Sequence, residues 1–147
     1  MKDLKLAILT YAEAQEAIQA IRCLVFQVEQ GVDPVLDFDG LDPESKHILA
    51  SLNERPIGTT RLRYLDDQTV KIERLAVLSE FRGQGIGRKI MEVALEFLSQ
   101  SPIQFVQLHA QIYVKDLYQK LGFTQVGSVF EEAGIKHIKM QKKLHES

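Results

Sequence analysis

Three glycines spaced by single residues, in Arg82-Gly83-Gln84-Gly85-Ile86-Gly87-Arg88-Lys89, stand where the apolar run Leu75-Ala76-Val77-Leu78 gives way to helical periodicity. Glycine lets a backbone approach a ligand with no Cβ in the way. The first turn of the helix that follows leaves N–H groups without intrahelical partners. Together these make an anion site, and Arg82, Arg88 and Lys89 add positive charge suited to phosphate. Two familiar phosphate-binding patterns do not fit. A P-loop needs G-x-x-x-x-G-K-[ST], which is missing here. A dinucleotide fingerprint needs G-x-G-x-x-G early in a βαβ unit, whereas this G-x-G-x-G follows three antiparallel-type strands.

A third pattern, R-x-x-G-x-G, is filled by Arg82, Gly85 and Gly87. It resembles the pyrophosphate-binding turn of the GNAT acetyltransferase superfamily. Tyr118-Gln119-Lys120-Leu121-Gly122-Phe123 resembles that family's late helix, where a Tyr precedes Lys-Leu-Gly-Phe. Phe26-Gln27-Val28-Glu29-Gln30 and Ala133-Gly134-Ile135-Lys136-His137-Ile138-Lys139-Met140 narrow the resemblance to the ElaA-like branch. The general likeness covers about residues 57–130, and the branch features extend it over most of the chain.

The resemblance implies acetyl-CoA as co-substrate, with no metal. It places the pantetheine and diphosphate along Leu75, Ala76 and Val77, the turn Arg82, Gly83, Gln84, Gly85, Ile86, Gly87 and Arg88, and Gln111 and Tyr118. Gln111 departs from the Asn that the family often has seven residues before the Tyr, and Val114 departs from its Ala. In the family, acetyl passes directly from the CoA sulfur to an amine. The amine must lose a proton; from a pKa near ~10.4 that costs roughly 4.6 kcal/mol at neutral pH without help. A carboxylate or imidazole can share this cost. Glu73, Glu29 and His137 are the candidate bases, against plainer roles as a strand charge for Glu73 and a hairpin hydrogen bond for His137. A backbone N–H near Leu75–Val77 is expected to stabilise the developing oxyanion. Tyr118 is expected to act on the departing thiolate; with a pKa near ~10 against ~8.5 for a thiol, it works better as a hydrogen-bond donor than by full proton transfer.

The acceptor side is read from the first helix and its following loop. Phe26 points away from that helix's buried stripe, and Glu29 shares its face. Asp33, Asp37, Asp39 and Asp42 follow, an aromatic-plus-acidic grouping able to receive a cationic amine or simply to form a solvated loop. Arg61 and Arg63 alternate with Leu62 and Tyr64, which predicts one charged and one apolar strand face and leaves an anionic acceptor open.

These residues need an ordered set of elements. A strand over 4–9 leads into a helix opened by the capping box of Thr10 and Glu13 and continued to about residue 28 by Ile18, Ile21 and Val25. Strands are predicted at 46–52, 57–65 and 69–78, then a helix from Ile86 to about Leu98, broken by Pro102. A buried strand over 103–109, a helix over 111–121 ended by Gly122, and strands near 123–130 and 135–143 complete the chain. The pattern predicts one α+β domain over residues 1–147 with helices packed on one mixed, mostly antiparallel sheet; the resemblance implies a GNAT-like fold with helices on both sides of it.

Composition bounds the alternatives. With 45% hydrophobic and 26% charged residues, the 147-residue chain is neither disordered nor fibrous. A formal net charge of −2 gives no overall basic excess for nucleic acid. The single cysteine, Cys23, offers no internal disulfide, and the four histidines show no metal-ligand spacing. No apolar run approaches a membrane span, so a cytoplasmic location and no membrane partner are expected. The charge is split: residues 1–44 carry a balance of −6 and residues 45–147 one of +4, as if two partners of opposite charge were served. The leading expectation is an acetyl-CoA-dependent N-acetyltransferase acting on a small-molecule or peptide amine. The alternative is a non-catalytic acetyl-CoA-binding sensor, which would keep the turn but need neither Tyr118 nor a base. An unrelated phosphate-binding α+β protein ranks third. Many relatives of the family pair as homodimers.

Overall fold

The computed structural model describes residues 3–145. Strand β1 (Leu4–Thr10) runs into helix α1 (Tyr11–Arg22). The capping box is formed: Thr10 Oγ1 accepts from Glu13 N at 3.3 Å, and Glu13 Oε1 accepts from Thr10 N at 2.9 Å. The helix then changes pitch, and Cys23–Glu29 winds as a π-helix. The predicted helix to about residue 28 is thus present but not uniform. Its wider i→i+5 turn re-aims the side chains that follow Arg22, a device frequent at functional sites. A short helix α2 (Pro34–Asp37) is capped by Asp33, whose carboxylate accepts from Val35 N at 3.0 Å.

Strands β2 (Lys46–Leu52), β3 (Arg55–Tyr64) and β4 (Thr69–Val77) form an antiparallel meander beside β1. After helix α3 (Ile86–Ser99) come β5 (Phe105–Gln111), helix α4 (Lys115–Lys120), β6 (Thr124–Glu132) and β7 (Ile135–Lys143). The sheet order is β1-β2-β3-β4-β5-β7-β6, and only β4 and β5 run parallel. The strand predicted at 103–109 begins and ends two residues later. Ile103 is a buried plug, and Gln68 O accepts from the N–H groups of Gln104 and Phe105, which starts the strand there. Gln111 therefore ends a strand rather than opening a helix. The predicted helix over 111–121 is a single 3₁₀ turn, Ile112–Val114, followed by α4.

Helices cover both faces of the sheet. On β3, Gly58 faces α3 so closely that a Cβ there would lie 2.9 Å from Ile90 Cδ1. Three residues on, Arg61 points to the opposite face, toward α1 and the 33–42 loop. Val70, Ile72, Leu62, Ile90, Met91 and Leu98 belong to the apolar core and are almost wholly enclosed.

The α1 face is filled by ions instead. Arg61 is fully buried, and its five donors make five hydrogen bonds, to Glu73, Asp39 and Asp42, at 2.6–3.0 Å. Arg22, 1% exposed, donates to Asp37 and Asp42 and lies 5.2 Å from the centre of the Phe38 ring. Arg74 reaches Leu36 O and Asp39. His47 donates from Nε2 to Asp42 O, and burial holds its ring below the ordinary imidazole range. Two expectations are corrected here. The strand does carry one charged and one apolar face, but Arg61 is not open to an anionic acceptor, because Asp39, Asp42 and Glu73 take all its donors. Asp37, Asp39 and Asp42 are not a free acidic surface, because arginines neutralise each of them.

Burial alone would raise the Glu73 carboxyl, but the Arg63 hydrogen bond and the charges of Arg61 and Lys71 hold it at about 2. Asp39, opposed by the same desolvation, is held well below the usual carboxylate range by Arg61 and Arg74. Depressed carboxylates stabilise the fold above their unfolded pKa values of roughly 4 and lose that contribution as the pH falls. Stability is expected to be flat above about pH 7, to begin falling below about pH 6.5 as the buried neutral His47 is penalised, and to decline further from about pH 5 toward pH 2. Arg61→Met leaves buried Asp42, largely enclosed Glu73 and the more accessible Asp39 under-compensated and should cost about 3–5 kcal/mol in urea unfolding, with a shallower acid decline.

Candidate active site

The parallel pairing of β4 with β5 covers only Thr69↔Phe105, Val70↔Val106 and Lys71↔Gln107. Beyond Lys71 the two strands part. The register of β3 against β4 slips between Thr59 and Arg61, giving β4 one extra residue, and Arg74 takes φ +58° there. This is a β-bulge, which bends a strand and re-aims its side chains. A cavity of about 430 Å³ lies in the gap. The π-helix contributes Phe26, β4 contributes Glu73 and Leu75, β5 contributes His109 and Gln111, and α4 contributes Tyr118. The last hairpin adds Glu132 and His137.

Beside this cavity the chain turns from β4 into α3 through the glycine-rich segment. Gly83 and Gly85 have φ of +75° and +81°, and Gly85 is the N-cap of α3 with no side-chain cap. A Cβ at either would meet no atom within 4 Å, so the turn is open above its backbone. The N–H groups that open α3 have no capping side chain. The geometry matches an anion site made by backbone donors and the positive helix end. Of the cations expected there, Arg82 donates from Nε to Val77 O at 2.9 Å and pairs through both terminal nitrogens with Glu29, at 2.7 and 2.9 Å. Arg88 leans along the helix toward Glu92 at 3.8 Å.

The candidate bases separate sharply. Glu29 is committed to Arg82, and the π-helix carries it away from Phe26, which alone of the two lines the cavity. Glu73 lines the cavity, yet its oxygens are held by Arg61, Arg63 and Lys71. His137 is 7% exposed, and its Nδ1 donates to Ile135 O at 2.7 Å, which turns Nε2 toward Glu132. Tyr118 is 8% exposed and packs edge-on to Phe123 at 6.1 Å. Burial pushes its hydroxyl up to about 12, so it is a donor at every working pH. Gln111 faces Gln30 across the cavity and accepts from the Tyr113 hydroxyl.

Three groups missed in the sequence stand beside His137. His109 Nδ1 donates to Glu132 Oε1 at 3.1 Å, Glu132 Oε2 lies 3.8 Å from His137 Nε2, and Phe130 stacks on His137. Part of this was readable. Ala133 and Gly134, with φ of +52° and +76°, form a two-residue turn that pairs Glu132 with Ile135 and Phe130 with His137. That register puts all four on one face, whereas the arrival of His109 depends on pairing between β5 and β7. Among the described residues no group of three or more His, Cys, Asp or Glu is placed to hold a metal ion. Nor, among them, is any helix long and apolar enough to cross a membrane.

The acetyltransferase (GNAT) domain model matches residues 14–144. The chain is 36% identical over 133 residues to Protein ElaA of Escherichia coli, covering 87% of this chain and 86% of that one. The crystal structure of E. coli ElaA superimposes with a TM-score of 0.85 over 95% of this chain and 99% of that one, at 32% identity. An acyl-CoA N-acyltransferase structure from Pseudomonas aeruginosa gives 0.84 at 30% identity, over 95% and 99%. A GNAT family acetyltransferase from Elizabethkingia anophelis with acetyl-CoA bound gives 0.75 at 18% identity, over 97% and 99%, a likeness of fold.

The left-handed turn carries its own test. Gly85→Ala introduces no clash but forces an L side chain to φ +81°. It is expected to lower thermal and urea stability by about 1–2 kcal/mol.

Proposed function

The chain belongs to the GNAT acetyltransferase family, in its ElaA-like branch, and on that premise we propose that it transfers acetyl from acetyl-CoA directly to an amine. The observation that carries the reading is one continuous arrangement: uncapped N–H groups at the start of α3, then parted strands, then a cavity holding a buried tyrosine and an oriented imidazole. Acetyl-CoA supplies an activated thioester; the rest of the chemistry falls to this chain. The acetyl-CoA bound in the E. anophelis relative supports the same co-substrate here.

The turn from Arg82 to Arg88 binds diphosphate through the amides around Gly85, Ile86 and Gly87. Arg82 contributes charge on exchanging Glu29 for phosphate. The edge of β4 at Leu75, Ala76 and Val77, which has no strand partner toward β5, offers backbone hydrogen-bonding groups to the pantetheine arm and an N–H to the oxyanion. Gln111 orders the wall formed by Gln30. Tyr118 donates a hydrogen bond to the leaving sulfur; with its own pKa about 12, full proton transfer to a thiolate is uphill by roughly 5 kcal/mol. His137 is the base: it lines the cavity with Nδ1 donating to Ile135 O, while Glu73 is tied to arginines and Glu29 lies outside the cavity lining.

Coenzyme A at a hundredfold excess over Kd is expected to stabilise the protein by about 2.7 kcal/mol, read as a rise in melting temperature. No shift would sink the assignment. Tyr118→Phe should leave the KM for acetyl-CoA unchanged and lower kcat about tenfold to a hundredfold, monitored by release of free thiol with a panel of amines. An unchanged kcat would remove Tyr118 from the leaving-group role.

A further inference from the structure

The His137–Glu132 pair presents two acceptors to each other. The Ile135 carbonyl can only accept, so the 2.7 Å contact places a proton on Nδ1, and in the neutral ring the lone pair is then on Nε2. The first cause of the lowered pKa of Glu132 is its hydrogen bond from His109, which keeps it ionised; Oε1 is the atom that accepts it. Its Oε2 then faces His137 Nε2 across 3.8 Å with no proton between them. Phe130 fixes both rings, stacked on His137 at 6.0 Å and edge-on to His109 at 5.0 Å. The other lining carboxylates, Asp37 and Glu73, are neutralised by arginines, whereas Glu132 meets only histidines in its ion pairs.

Resting on the acetyl-transfer reading, we propose that Glu132 Oε2 and His137 Nε2 form the capture site for the acceptor, a primary aliphatic amine that arrives as its ammonium ion. A nitrogen seated in the gap donates to both atoms at hydrogen-bond distance, which completes two polar groups the free protein leaves facing each other. One ammonium proton passes to His137 Nε2, and Glu132 holds the imidazolium that results. The freed nitrogen lone pair forms the bond to the acetyl carbon, and the carbon–sulfur bond breaks. The second nitrogen proton goes with the departing sulfur as free thiol, and the imidazolium proton is later released to water. His109 is a positioning residue, aiming Glu132 from behind.

The test uses the free protein with n-butylammonium as probe and tetramethylammonium, which has charge but no N–H, as control. Nitrogen-15 NMR of the histidine rings at pH 8 is expected to find the Nδ1–H tautomer at His137. The n-butylammonium salt should shift its Nε2 resonance saturably, with affinity about tenfold to a hundredfold weaker in Glu132→Gln and intermediate in Glu132→Asp. An Nε2–H tautomer, an equal shift with tetramethylammonium, or no saturable Glu132-dependent shift overturns the proposal. None of these readouts involves acetyl-CoA, so they fail separately from the acetyl-transfer reading. In turnover, Glu132→Gln should raise KM for the amine and leave KM for acetyl-CoA unchanged; the reverse pattern also overturns it.

Discussion

Three residue pairs hold β4 to β5, and the parting of the strands beyond Lys71 is the constraint on which the rest of the molecule depends. Were the two strands zipped to their ends, Leu75 and Gln111 would lie against each other and no cavity would exist. The separation is built into β4 by one extra residue at the Arg74 bulge. It is kept open by what is wedged on either side: α3 and its apolar core behind the sheet, and the π-helix with the ion network in front. A sheet opened in this way leaves backbone donors without strand partners, and such donors are a cost unless solvent or a ligand satisfies them.

The ion network is the less obvious half of that wedge. Arg22 and Arg61 are as enclosed as the core leucines and isoleucines, and they lie where an apolar protein would place side chains such as Met or Leu. Ionic packing of this kind adds little net stability compared with an apolar equivalent, but it is intolerant of losing one member. It also defines a single position for the 33–42 loop, because all five donors of Arg61 and every nitrogen of Arg22 meet acceptors, most of them in that loop. Through Arg74 and Arg22 the loop is tied at once to β4 and to α1, so the front wall of the cavity cannot shift without breaking hydrogen bonds in both. The charge asymmetry of the chain is thus spent partly inside the fold: acidic residues of the first 44 positions meet arginines from β3 and β4.

The same carboxylate chemistry is used in opposite ways on two walls of one cavity. Glu73 is surrounded by cations and held at about 2, which makes it a fixed anchor and a poor proton acceptor. Glu132 is half exposed, its ion pairs are with imidazoles, and the Lys71 charge acts on it without an ion-pair contact. Arg82 is intermediate: its bidentate pair with Glu29 is accessible to solvent on both sides, a pairing weak enough to be exchanged for a stronger anion. Strongly enclosed pairs build the wall, and exposed pairs remain exchangeable.

Local sequence determined what depends on neighbours a few residues apart. The capping box at Thr10, the glycines with positive φ at 83 and 85, the apolar stripe of α3 and the hairpins are all written in short-range pattern, and the family resemblance rests on them. Even the common face of Glu132 and His137 follows from a two-residue turn. Tertiary structure decided which charges are free. Arg61 and the aspartates at 37, 39 and 42 look like surface residues along the chain, because alternation reports faces but not what covers a face. Glu73, Glu29 and His137 looked equivalent as bases for the same reason. Partners 10 to 53 residues away, Arg63 and Arg61 for Glu73 and Arg82 for Glu29, give two of them surroundings unlike those of His137. His109 reached Glu132 only through the pairing of β5 with β7, a contact between strands far apart in the chain that no local spacing encodes.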